Sequence, residues 1–294
     1  MSSQSREYPS DHWIRSHDVE KALAAYMDQQ YKAYSRVKNA FVRELLGDLK
    51  GKRFLDYGCG GGMFTVYAAQ QGAAEVVAVD ALETVLETAR YFARIERVEH
   101  VCRFVQSEGF PAAFSRSRFD VILIKDVLEH VQDDQALLGA AARALVPGGT
   151  LVLSTQNALS LNYLIQGTYR RQLMGDKQWF GWDETHVRFY TPMSLDRKLR
   201  QAGFASQAWR SAYIIPYKLP ALPGSKRQFL RIDVLSLVDR SLGWIFPYNR
   251  LGWNIIVKAQ ASPLVKRPIS SLRLVAQEIS AMPLPVGGHS VRLP

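Results

Sequence analysis

The chain has 294 residues, 47% of them hydrophobic, enough for one large α/β domain with appended segments or for two small ones. A single core domain is expected. Polar Met1–Ser10 leads into no apolar stretch of the signal-peptide kind, and no run approaches the roughly 18 to 20 apolar residues of a spanning helix, so a cytoplasmic protein is expected. Two cysteines, Cys59 and Cys102, form neither a disulfide framework nor a metal-type spacing.

The net charge of +10 is uneven. Residues 205–294 hold 12 Lys/Arg against three Asp/Glu, while the first 204 hold 25 against 24. This basic third is dotted with aromatics such as Trp209, Tyr217, Trp244 and Phe246. That mixture suits peripheral contact with an anionic membrane surface or a nucleic acid, and the lack of a nucleic-acid module speaks against the second. A solvated basic surface over buried aromatics is the plainer alternative.

In chain order, residues 1–49 read as a helical cap in which Tyr26, Tyr31 and Tyr34 either pack or cover a ligand mouth. From Lys52 to Ser154, β and α signals alternate as in a doubly wound parallel sheet. Strands are expected at Arg53–Tyr57, Glu75–Asp80, Cys102–Val105, Phe119–Lys125 and Thr150–Ser154. Helices are expected at Phe64–Gln71, Leu82–Ile95 and Asp134–Leu145, the last stopped by Pro147-Gly148-Gly149. Residues 155–189 read as an irregular, aromatic-rich excursion, and length of that kind points to function. Thr191-Pro192 then opens a helix that Gly203 ends. Two more strands, Gln207–Ile214 and Trp253–Ala259, flank residues 216–251, which carry an amphipathic helix near Phe229–Ile245. The Pro-rich tail, 261–294, is expected to be disordered.

The strongest motif is Asp56-Tyr57-Gly58-Cys59-Gly60-Gly61-Gly62, delivered by an apolar strand to the sheet edge where open α/β sheets bind ligands. Its glycines remove Cβ atoms that would hold a ligand off the backbone. The spacing discriminates: a G-x-G-x-x-G turn would need glycine where Met63 stands, and no phosphate-cradling G-x-x-x-x-G-K-[ST] occurs. Asp80 closes the next strand, where its carboxylate can accept both hydroxyls of a ribose.

With these features the chain resembles class I S-adenosylmethionine-dependent methyltransferases from about Lys52 to Ala259. The resemblance implies a doubly wound, mostly parallel, seven-stranded α/β sheet of Rossmann-like form at 50–260, capped by insertions at 157–184 and 216–251. It implies S-adenosylmethionine as cofactor, with Gly58 and Gly60 at its methionine part, Asp80 at the ribose, and Gln106 and Ser107 in the adenine loop. Gln106 departs from the Asp often found there. Asp56, Cys59, Gly62, Ala81 and Lys125 complete the expected cofactor set.

The block Phe119 to Val131, then Leu145-Val146-Pro147-Gly148-Gly149 and Thr185-His186-Val187-Arg188-Phe189-Tyr190-Thr191-Pro192, resembles the subgroup containing the ubiquinone-pathway O-methyltransferases. That implies O-methylation of a hydrophobic or aromatic small molecule, with peripheral membrane association. A sulfonium methyl is already activated, so the protein must position a nucleophile and take its proton. His130 and His186 are the candidates for that base, or else structural hydrogen-bonding histidines. Asp126, Glu129 and His130, expected on one helical face, match positions implicated in binding Mg2+ in the subgroup. Here Asp126 replaces the usual Glu, and Lys125 adds a positive neighbour; a helix N-terminus that favours acids is the alternative. Two rivals stand beside the transferase: a noncatalytic cofactor-binding or membrane-docking protein, and a nicotinamide-dependent oxidoreductase.

Overall fold

A computed structural model describes residues 12–116, 119–177, 179, 185–220 and 229–261, all within the compact unit Met1–Ser262. The tail expected to be disordered therefore lies outside the described residues, apart from Ala261.

The N-terminal segment contains two helices, α1 (Val19–Tyr31) and α2 (Ala33–Leu46). Asp18 caps α1 by accepting from the Lys21 N–H, whereas α2 follows directly at extended Lys32 with no side-chain cap. Helix α2 therefore depends on packing, and it buries Val37, Phe41, Val42, Leu45 and Leu46. Each such side chain contributes about 1.5–3 kcal/mol when fully buried.

The alternating segment follows as β1 (Arg53–Tyr57), α3 (Met63–Gln70), β2 (Glu75–Asp80), α4 (Glu83–Ile95), β3 (Cys102–Gln106), β4 (Phe119–Lys125), α5 (Asp134–Ala144) and β5 (Leu145–Gln156). Next come α6 (Leu161–Thr168), α7 (Pro192–Gln201), β6 (Phe204–Ala212), a hairpin of β7 (Lys218–Pro220) and β8 (Phe229–Arg231), α8 (Ser236–Leu242) and β9 (Asn254–Ala261). Seven strands make one sheet in the order β3-β2-β1-β4-β5-β9-β6, with β9 antiparallel to both neighbours and the remaining pairings parallel. The strand pleat divides the core in two. Leu55, Val77, Ile122 and Leu153 pack on one face; Phe54, Val76, Leu123 and Val152 pack on the other with α2. Chain order reverses between β1 and β4, which opens a crevice at their carboxyl ends.

Three expectations are corrected. Residues 155–189 contain α6, capped by the Ser160 hydroxyl accepting from Tyr163 N–H, so the insertion is partly regular. The long amphipathic helix near Phe229–Ile245 is replaced by strand β8, a 3-10 turn at Asp233–Leu235 and the seven-residue α8. Residues 126–130 are not helical: Asp126 has a left-handed φ of 54°, its N–H donates to the Ser154 carbonyl, and the chain closes a short turn from Val127 to His130.

Candidate active site

The glycine turn sits where the sequence places it. Gly58, Gly60 and Gly62 have φ of 75°, 53° and 87°, a region costly for any residue with a Cβ. Space is short as well: a Cβ on Gly58 would lie 2.2 Å from Val127 Cγ2, and one on Gly61 would lie 2.5 Å from the Tyr26 ring. Of the three cap tyrosines, Tyr26 thus lies on the turn, while Tyr31 and Tyr34 line an adjoining cavity.

Asp80 braces the turn. Its Oδ2 accepts from the Gly60 N–H at 3.1 Å and its Oδ1 from the Leu82 N–H at 3.3 Å. About half of a carboxylate's roughly four acceptor positions remain, which suits a ribose diol. Burial raises its pKa, while the backbone donors oppose the shift. Asp56 and Cys59 are buried: Asp56 Oδ2 accepts from Thr65 Oγ1 at 2.7 Å, tying β1 to α3, and burial pushes its carboxyl up to about 6. Their part is to hold the turn in shape. At the third strand, Gln106 donates to the Ala81 carbonyl and the Ser107 N–H to the Asp80 carbonyl, which brings Asp80 beside the expected adenine loop. A turn stripped of Cβ atoms beside a braced acid fits the expected nucleoside cofactor.

The expected Asp126–Glu129–His130 metal trio does not assemble. Because Asp126 turns left-handed, its carboxylate faces Lys38 (2.5 Å) and Lys125 (2.9 Å), and its second oxygen accepts from Ser154 Oγ at 2.8 Å. Burial alone would raise its pKa, but the two ammonium groups hold it well below the carboxylate range. Lys125 is thereby engaged with Asp126, and Lys38 reaches in from α2, 88 residues away along the chain. An acid consumed by two cations does not fit the magnesium site that the resemblance implies.

His130 and His186 do come together. Their ring centroids lie 4.7 Å apart, edge to face. The segment after the insertion is stapled across the β4 and β5 ends: the Thr185 hydroxyl pairs with His130 Nδ1 at 3.0 Å, Val187 N–H donates to the Glu129 carbonyl, and Tyr190 donates to buried Asp134 at 2.7 Å. Glu129 is fully buried, with Oε2 accepting from Thr155 Oγ1 at 2.8 Å, and burial raises its pKa.

Both histidines and Glu129 line a cavity of about 1170 Å³ that begins at Met63, the residue after the glycine turn. One wall is aromatic, with Tyr34 and Tyr213 centroids 5.3 Å apart and Tyr213 and Tyr217 4.7 Å apart. Trp253 forms another, backed by Tyr163 at 5.9 Å. Sequence reasoning missed Lys38, Thr155, Gln156 and the Tyr213–Tyr217 pair. It also missed Asp239, which receives the Tyr213 and Ile214 N–H groups and the Tyr217 hydroxyl. Thr155 and Gln156 fall in a segment similar to the subgroup but carried no role, whereas Lys38, Tyr213, Tyr217 and Asp239 sit in no motif.

Residues 25–208 match a family described as a methyltransferase domain. The chain is 34% identical over 188 residues to the ubiquinone biosynthesis O-methyltransferase of Alkalilimnicola ehrlichii, covering 61% of this chain and 72% of that protein. It is 36% identical over 164 residues to the protein of the same name from Neisseria meningitidis serogroup C, covering 53% and 65%. Among solved structures, an S-adenosylmethionine-dependent methyltransferase from Mesorhizobium loti superposes with a TM-score of 0.51 at 19% identity, over 76% of this chain and 97% of the other. Magnesium protoporphyrin IX methyltransferase from Synechocystis PCC 6803, solved with bound SAH, superposes at 0.52 and 16% identity, over 78% and 86%. At such identities the structures speak for the fold.

Proposed function

Since the chain belongs to the methyltransferase domain family and uses S-adenosylmethionine, we propose that it methylates a hydroxyl oxygen of a hydrophobic or aromatic small molecule. The observation that carries this reading is the His130–His186 pair on the wall of a large cavity that starts beside the glycine turn. The bound cofactor supplies an electrophilic methyl on a sulfonium; the chain's own residues supply placement and a proton acceptor. With His130 Nδ1–H donating to the Thr185 hydroxyl, Nε2 is the nitrogen that takes the acceptor proton, and the His186 ring lies against its side. Aromatic walls on two sides favour a planar acceptor, and the volume is somewhat larger than a drug-sized ligand needs, which leaves room for an apolar tail. The O-methyltransferase names of the relatives support oxygen as the acceptor atom. A panel of catechols and phenols with apolar tails, assayed with labelled methyl donor, tests it; label found only on nitrogen or carbon would sink the oxygen assignment.

The cavity rim supports peripheral contact with an anionic membrane. On α6, Asn162 and Gln166 line the cavity, while Leu161, Leu164 and Ile165 on its other side are half exposed. Ser236 and Arg240 of α8 line it too, near exposed Leu237, Trp244 and Phe246. Apolar side chains beside cations suit an interface of lipid heads and tails. No helix among the described residues is long and apolar enough to cross a membrane. Co-sedimentation with phosphatidylglycerol vesicles is expected to fall when Leu164 and Ile165 are both changed to Ser; no change would remove the membrane from the proposal.

A further inference from the structure

We propose that the methyl acceptor carries an oxyanion, a carboxylate or a phosphate, and that Arg36 of α2 and Arg240 of α8 hold it. The inference rests on the methyltransferase reading and adds a specificity-determining pair to it. Both arginines line the cavity that also holds His130 and His186, so one bound molecule can reach both pairs.

Charge is unevenly placed on the cavity wall. Helix α2 contributes Arg36, Ala40 and Arg43, which share one helical face, and α8 contributes Arg240. Lys32 lines the cavity too, but it pairs with Asp28 at 3.4 Å. No carboxylate among the described residues pairs with Arg36, Arg43 or Arg240. Of the acids on the wall, Asp126 is held between Lys38 and Lys125, and burial keeps Glu129 above the usual carboxylate range. Exposed Asp233 is left to face three guanidinium groups. Like charges around one concavity repel, and a bound anion removes that cost.

Two observations set this wall apart from a loose basic surface. Asp239, beside Arg240 in the chain, is fully buried and accepts from the Tyr213 and Ile214 N–H groups and the Tyr217 hydroxyl, which pins α8. The end of that helix leaves no slack: a Cβ on Gly243 would lie 2.4 Å from the Ser211 carbonyl oxygen and 2.8 Å from the Phe41 ring of α2. The backbones that bear Arg36 and Arg240 are thus fixed against each other. The second observation is that Tyr34, Tyr213 and Tyr217 form a row on the same wall. An aromatic acceptor with an anionic substituent would meet ring faces and guanidinium forks together. Arginine suits the task, since its planar fork matches the two oxygens of a carboxylate or phosphate.

The test is calorimetric titration of the full chain with matched probes: 3-pentylphenol, its carboxylated counterpart 2-hydroxy-6-pentylbenzoate, and 3-pentylphenyl phosphate. At least one of the two anions is expected to bind about tenfold or more tighter than the neutral phenol. In the double variant Arg36→Gln, Arg240→Gln that advantage is expected to vanish; both side chains are exposed, so the variant should fold. Equal affinity for the anions and the phenol, no binding of any probe, or an advantage that survives in the variant would each overturn the pair. Phosphatidylglycerol vesicles form a separate arm, because a lipid headgroup offers the same phosphate chemistry. Arginine-dependent binding to vesicles without any preference among the soluble probes would assign the cations to lipid and overturn the proposal. Titration with S-adenosylhomocysteine on the same samples keeps the two readings apart. Cofactor heat without an anion preference removes only the arginine pair, whereas an anion preference without cofactor heat removes the transferase reading.

Discussion

The glycine-turn crevice and the large cavity lined by His130 and His186 lie side by side and are built in opposite ways. The heart of the crevice comes from one continuous stretch, β1 through β2, and the backbone shapes it through glycine φ angles, the Gly60 N–H that donates to the Asp80 carboxylate, and missing Cβ atoms. The cavity is assembled from α2, the β4 and β5 ends, α6, the segment around His186, Tyr213 and Tyr217, and α8, and side chains define it. Backbone contacts tolerate few substitutions, whereas a side-chain wall can be rewritten one residue at a time.

Mutations that touch only one region sharpen the comparison. The largest effect is expected from His130→Ala, which should lower kcat by about 10²- to 10⁴-fold and leave calorimetric affinity for S-adenosylhomocysteine unchanged; a parallel fall in affinity would mean that the regions are not separable. Gly58→Ala should do the reverse. Left-handed strain and the clash with Val127 together cost about 3 kcal/mol, seen as roughly a hundredfold weaker cofactor binding or as a lower melting temperature. Asp80→Asn should weaken cofactor binding by about 1.5–3 kcal/mol with the acceptor KM unaltered, and equal losses on both sides would count against its ribose role.

The smallest effect concerns pH. Asp239 is fully buried and its carboxyl is pushed up to about 6, mainly by burial. Its folded pKa exceeds the unfolded value of about 3.9, so its stabilisation is full below pH ~4 and is lost as pH rises through ~6. Asp239→Asn should therefore improve stability at pH 7 relative to pH 4.5 by up to about 2 kcal/mol, measured by denaturant unfolding at both values. Asp126 works in the opposite sense, since its depressed pKa gives stability above ~4 that acid removes, so the comparison must be made between variant and parent at each pH.

The same contrast explains what the sequence could reveal. The predicted bounds of β1, β2 and β4 agree with the structure because an apolar run closed by a turn signal specifies a buried strand locally. Asp80 was legible because it ends such a strand. Lys38 was not: nothing near it in the chain marks it, and its meaning comes from Asp126, whose left-handed backbone no local propensity announces. The spacing of Asp126, Glu129 and His130 suggested a helical face, yet the strand end turned through a short loop, and His186 came to Glu129 and His130 through long-range pairing. The 229–245 segment misled for a related reason: apolar spacing of helical period also fits a short strand, a turn and a two-turn helix.

Tyr26 carries a kinetic consequence. Its ring rests on Gly60 and Gly61, and the helix that bears it is moored to α4, with Tyr91 donating to Glu20 and Thr84 to the Ile14 carbonyl just upstream. Tyr26→Ala is therefore expected to speed departure of S-adenosylhomocysteine from the turn, read as a higher dissociation rate in stopped flow; an unchanged rate would leave the ring a packing role only.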